Sequence, residues 1–205
     1  TSLVAAFPAA NIPLHMTMGN HDDRVAFLKQ FPKRTGTTEE QSGVVEGRHV
    51  SLIETKYANW FLTDTLQKVN HVTGEMGVQQ IEWLKRALMA RSDKPAIIVG
   101  HHNPQFTIPD DGRVTGLQDS QALFEMLESQ PHVKAYVYGH THSWNTTRRD
   151  SGLHLINLPP IGYAFNETNP VGWVDANLSS TELQLTLHSV DPDHPEHLKM
   201  RSLTW

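Results

Sequence analysis

The chain alternates short apolar runs with polar, glycine-containing breaks, and three of the runs end alike. Pro13-Leu14-His15-Met16-Thr17-Met18 is followed by Gly19-Asn20-His21-Asp22. Pro95-Ala96-Ile97-Ile98-Val99 is followed by Gly100-His101-His102-Asn103-Pro104, and Val133-Lys134-Ala135-Tyr136-Val137-Tyr138 by Gly139-His140-Thr141-His142. This patterning predicts short strands over 12–18, 95–99 and 133–138. A strand ending in Gly can turn sharply. Strand carboxyl ends in an α/β sheet share one edge, where such folds bind ligands. Three strand-Gly-His units therefore predict one shared site.

Between these units the period changes. Val25, Phe27, Leu28 and Phe31 predict a short helix over 22–31, stopped by Pro32. Residues 33–42 are polar and read as a loop, and residues 43–54 read as a hairpin with a tight turn near Gly47. From Gly74 onward, Val78, Ile81, Leu84 and Leu88 recur at helical spacing, with Trp83 and Met89 broadening the stripe. Leu123, Phe124 and Leu127 mark a second helix within 117–129. The Gly/Asp/Pro-rich excursion 107–116 reads as a loop at the rim of the site. A strand over 153–158 is broken by Pro159-Pro160, and an aromatic loop covers 161–166. Residues 172–178 and 182–190 form a closing hairpin about Ser179-Ser180. Residues 191–197 read as a solvated tail despite their metal-tract composition. Mixed strands and helices of this order place the chain in the α/β class.

At 205 residues, with no repeat or linker, the sequence reads as a single domain, 1–205. A net charge of −5 argues against a general polyanion binder, hence no nucleic-acid polymer as partner. No run approaches the ~18 apolar residues of a membrane span, so no membrane partner is expected. There is no Cys, so any metal would sit on N and O ligands, a choice that suits Mn, Fe, Zn or Co. A lone His-x-His in a chain with 13 His would be weak evidence for a metal; the three converging units carry the case. The compartment stays open, with the cytoplasm slightly favoured over export. Thr1 to Ala10 lacks a basic leader and reads as the tail of a helix that begins upstream.

The three motifs, in this order, resemble those of the calcineurin-like metallophosphoesterase superfamily, and most closely its branch of cyclic-nucleotide phosphodiesterases and glycerophosphodiesterases. The resemblance implies a four-layer αββα sandwich of two mixed sheets and a site for two divalent transition metals. It also implies hydrolysis of a small phosphoester, a nucleotide or a glycerophosphodiester, by a metal-activated hydroxide. Carried over by motif, Asn20, His102 and His140 would ligate one metal and His142 the other. His102 takes this role because it stands two residues before Pro104; His101 is the alternative, as a supporting or substrate-binding residue. His21 would donate a proton or hydrogen bond to the phosphate or its leaving oxygen. Asp22 would orient that imidazole, or else cap a helix. His101 and Asn103 are the candidate substrate contacts, and Trp144, Tyr163 and Phe165 could line the pocket. The remaining His15, His49, His71, His132, His154 and His188 read as structural or surface residues.

The family's opening Asp-x-His and Gly-Asp occur nowhere in these 205 residues. The sequence is thus expected to correspond to the latter part of the family domain, with its N-terminal part absent, and to be a poor two-metal enzyme as written. An upstream segment or a second copy of the chain could complete the site. The alternative is a non-catalytic metal-binding or oligomerisation module.

Overall fold

The computed structural model describes residues 6–7, 10–31 and 45–205. The expectations for 33–42, most of that for 1–10, the Pro32 stop and residues 43–44 of the hairpin at Gly47 lie outside them. Helix α1 spans Arg24–Gln30; strands β1 (Ser51–Glu54) and β2 (Asn59–Leu62) precede helix α2 (Val78–Met89) and strand β3 (Ala96–Val99). Helix α3 (Ser120–Glu128) leads to β4 (Val133–Tyr138), β5 (Asn145–Arg148) and β6 (His154–Asn157). The chain then forms β7 (Gly172–Leu178), β8 (Glu182–Ser189) and β9 (Met200–Thr204). A six-stranded mixed sheet has the order β1-β2-β3-β4-β6-β5, and an antiparallel sheet has the order β7-β8-β9.

The α/β class with two sheets is therefore found, and its layering follows from side-chain alternation. Along one row of the large sheet Phe61, Ile98, Tyr136 and Leu155 are register partners, and all four face the core shared with α2 and α3. One residue on, Leu62, Val99, Val137 and Ile156 are partners facing the other way; Val137 and Ile156 pack on Leu183, Leu185 and Leu187 of β8. Each such fully buried side chain contributes about 1.5–3 kcal/mol of burial free energy. Because β2, β3, β4 and β6 are parallel, their carboxyl ends line one edge. Gly100-His101-His102 and Gly139-His140 leave the sheet there, side by side.

Four expectations are corrected. Residues 12–18 join neither sheet. Met18 is fully buried and the Met16 carbonyl lies 3.2 Å from His49 Nε2, so packing and a side-chain bond hold this segment instead of a ladder. The turn at Gly47 exists, with φ of 68°, but the hairpin is β1–β2, closed around Thr55 and Ala58. Helix α2 buries the expected Trp83, Leu84 and Leu88, packs Ile81 against the core and adds Gln80 and Ala87, but the two ends of the expected stripe face out, Val78 being 72% and Met89 61% exposed. Gln80 can be buried because its amide accepts from Asp64 N at 2.9 Å and donates to Asp64 O at 2.8 Å, satisfying a buried backbone. Finally, residues 191–197 are not a tail but the connection from β8 to β9, where Glu196 pairs with Arg201 and Lys199.

Candidate metal centre and its cleft

The first histidine turn is positioned from below by Thr65. Its hydroxyl accepts from the amides of both His101 and His102 at 3.3 Å, and it lies 2.7 Å from His102 Nδ1. Thr65 is held by the buried Asp64 beside it. Asp64 accepts from Arg24 Nε at 2.7 Å and Nη2 at 3.0 Å, and from the amides of His49 and Leu66 at 3.0 Å each. The ring of His102 lies so close to Gly74 that a Cβ there would come within 2.3 Å of it, so only glycine fits. The second turn stores strain: His140 and His142 have φ of 69° and 52°, a left-handed conformation costing about 1–2 kcal/mol per residue. Asn157 bridges the hydroxyls of Thr141 and Ser143 and holds that turn from β6.

These elements bring His101, His102 and His140 together, with one ring nitrogen of each within 4.8 Å of the others. The tightest convergence involves His101: its Nε2 lies 3.1 Å from Asn20 Oδ1 and 3.2 Å from His140 Nδ1. Two donors on one ion at the usual bond length of ~2.1 Å stand about 3.0–3.4 Å apart, so this spacing fits a transition metal. His140 Nε2 donates to the Thr115 carbonyl at 2.8 Å, which leaves Nδ1 as the bare nitrogen. Burial, then the neighbouring His140, lowers the His101 pKa to about 4. Burial, then His101, takes His102 to about 2, and burial likewise lowers His140. All three are neutral at pH 7 and keep a lone pair available for an ion.

His102 is fully buried and its Nε2 has no partner among the described residues; it can take a cation only with the ring proton on Nδ1, facing the Thr65 hydroxyl. His142 donates Nδ1–H to the Tyr163 carbonyl at 2.7 Å and lies along the same cleft. His21 is exposed at the cleft wall, with Nδ1 2.9 Å from Asn70 Oδ1. Asp22 turns away from it, accepting from the Gly19 amide at 2.8 Å, and Asp23 supplies the cap of α1. Asn103 lines the cleft, whereas Trp144 is buried in the inter-sheet core under Arg201. The cleft encloses about 460 Å³, and among the described residues its lining carries no carboxylate.

Sequence reasoning missed Asn70, Thr65 and the Thr115 carbonyl, which lie 49, 37 and 25 residues from the histidines they contact. None sits in a recognisable motif.

Residues 1–144 match the calcineurin-like phosphoesterase family. Among curated relatives, a 3',5'-cyclic-nucleotide phosphodiesterase of Nostoc is 25% identical over 80% of this chain and 57% of its own length. A 3',5'-cyclic adenosine monophosphate phosphodiesterase of Vibrio vulnificus is 28% identical over 83% of this chain and 58% of its own. A glycerophosphodiester phosphodiesterase of Enterobacter lignolyticus is 22% identical over 79% and 58%. The chain thus spans less than two thirds of the length of these relatives. A dimetal phosphatase from Danio rerio superposes with a TM-score of 0.73 at 14% identity, over 98% of this chain and 75% of that one, so the fold is shared. The chain belongs to the calcineurin-like phosphoesterase family.

Proposed function

We propose that this chain, as a single domain, carries the metal-binding and phosphate-facing part of a metal-dependent phosphodiesterase acting on small phosphoesters. The observation that supports this reading most is the convergence of Asn20 Oδ1 and His140 Nδ1 on His101 Nε2, at 3.1 and 3.2 Å, at the carboxyl edge of the parallel strands of the large sheet. We assign the tight ion to these three residues, with His101 in the place the sequence assigned to His102. His102 Nε2, without a partner among the described residues, stands behind them. His142, its Nδ1 committed to Tyr163, offers Nε2 to a second ion. When bound, such a divalent ion activates water and offsets phosphate charge.

The chain's own residues hold and orient. Asn70 accepts from His21 Nδ1–H at 2.9 Å and so turns Nε2 toward the cleft. Protonated there, His21 can deliver its Nε2 proton to a leaving oxygen. Asn103 supplies an uncharged amide to the same wall. Mn, Fe, Zn and Co all accept this N/O donor set.

A non-catalytic metal-binding module is favoured by one observation, the absence of a carboxylate from the described cleft lining. Hydrolysis of bis-nitrophenyl phosphate by the purified chain with and without Mn²⁺ separates the two. The phosphodiesterase reading expects slow, Mn-dependent turnover that His140→Ala abolishes. Tight Mn²⁺ binding with no turnover on diesters or monoesters would support the binding module instead.

A further inference from the structure

The loop from residue 161 to 166, between β6 and β7, places large aromatic side chains in water. Tyr163 is 60% and Phe165 70% exposed, so neither belongs to the buried core. Both side chains nonetheless have fixed relations to the histidine cluster. Phe165 stacks on His142 with centroids 4.1 Å apart and ring planes 12° apart, so one of its faces is covered and the other is open. Tyr163 meets Phe165 edge-on, at 5.7 Å and 71°, and its carbonyl accepts the His142 Nδ1 proton. Together with Asn20, His21, His140 and His142, the two aromatics line the cleft of about 460 Å³. That volume lies within the ~300–1,000 Å³ range of small-molecule sites.

One cleft therefore carries both nitrogen and oxygen donors and, stacked on His142, an exposed apolar ring. We propose that Phe165, with Tyr163 as its edge, is a stacking platform that selects phosphoesters carrying a nucleobase, a specificity role that rests on the phosphoester reading of the cluster. A base has a π-face to lay on the open side of Phe165 while its phosphate reaches the histidines. A glycerol group has none. A quaternary ammonium would need several ring faces converging into a cage, and here one face and one edge are presented.

The test is calorimetric titration of the Mn²⁺-loaded chain with AMP, ribose 5-phosphate, inorganic phosphate and glycerophosphocholine. AMP is expected to bind roughly 5- to 100-fold more tightly than ribose 5-phosphate, the range set by stacking of one base on one ring. Phe165→Leu should remove that difference while leaving phosphate affinity within about twofold, and Phe165→Trp should retain it. Equal binding of AMP and ribose 5-phosphate by the wild type would overturn the proposal. So would a Phe165→Leu variant that loses phosphate and AMP affinity in parallel, because Phe165 would then act only by positioning His142. Glycerophosphocholine binding more tightly than AMP would replace the platform with a cation site. Failure to bind phosphate at all would remove the phosphoester reading and this proposal with it.

Discussion

His140 donates Nε2–H to the Thr115 carbonyl at 2.8 Å, and the bare Nδ1 this leaves lies 3.2 Å from His101 Nε2. With His140 Nδ1 bare, His101 meets it either through an Nε2–H donor or, with its proton on Nδ1, across a shared cation. A cation between them gives both a partner, and Asn20 Oδ1 stands 3.1 Å from the same His101 atom. The left-handed backbone at His140 is the strain that places Nδ1 there.

Replacing the two adjacent histidines in turn separates their roles. His101→Ala should weaken Mn²⁺ or Zn²⁺ binding at least about 100-fold, since it removes one of three close donors. His102→Ala should weaken it less, by about tenfold, through loss of the ring packed on Gly74 and bonded to Thr65. Competition titration against a chromophoric chelator reads both; the reverse ranking would return the ligand role to His102.

The pH response of the metal-free chain follows from the same burial. The folded-state pKa of His101 is about 4 and that of His102 about 2, both below the unfolded value. The unfolded chain therefore binds more protons below about pH 6.5, and stability falls with acid at up to about 1.4 kcal/mol per pH unit for each such histidine. This contribution is complete above pH 6.5 and is lost progressively as pH falls toward the folded values. Thermal melts at pH 7, 6 and 5 should show a falling midpoint, and His101→Ala should flatten the slope. An unchanged slope would mean that the ring is not desolvated.

Asp64 is the buried anchor beneath the site. Asp64→Ala would strand the Arg24 guanidinium and the His49 and Leu66 amides. The expected loss is about 3–5 kcal/mol in urea unfolding, with metal affinity falling as Thr65 loosens. A loss below about 1 kcal/mol would show that water readily replaces the carboxylate.

His21 faces the cleft without contacting the close donor trio beyond a 3.5 Å approach to Asn20 Nδ2. His21→Ala should leave metal affinity nearly intact and lower turnover roughly 10²–10⁴-fold on alkyl esters. Nitrophenyl esters, whose leaving group needs little protonation, should suffer less. Equal losses on both would rule out leaving-group protonation.

The legible part of this molecule was what short runs encode. Strands β3, β4, β6, β7 and β8 carry apolar or alternating patterns bounded by Gly, Pro or Ser, and each is found within a residue or so of its expected span. Strand β5, Asn-Thr-Thr-Arg, is an edge strand with no buried residue, so no hydrophobic period announces it. Residues 12–18 alternate like a strand but join no sheet. The histidine clusters stood out because each is local. Asn70 and Thr65, whose side chains contact the rings of His21 and His102, are brought in by tertiary folding from 49 and 37 residues away. Asp22 illustrates the converse: adjacent in sequence to His21, it serves the Gly19 turn instead.

X-ray absorption at the metal edge of the Zn²⁺-loaded chain reads the ligands of the ion most directly. Two imidazoles and an oxygen-type ligand at about 2.0–2.1 Å are expected in the wild type, with one imidazole fewer in His140→Ala. A spectrum without imidazole outer-shell scattering, or one unchanged by His140→Ala, would contradict the assignment of the ion to Asn20, His101 and His140.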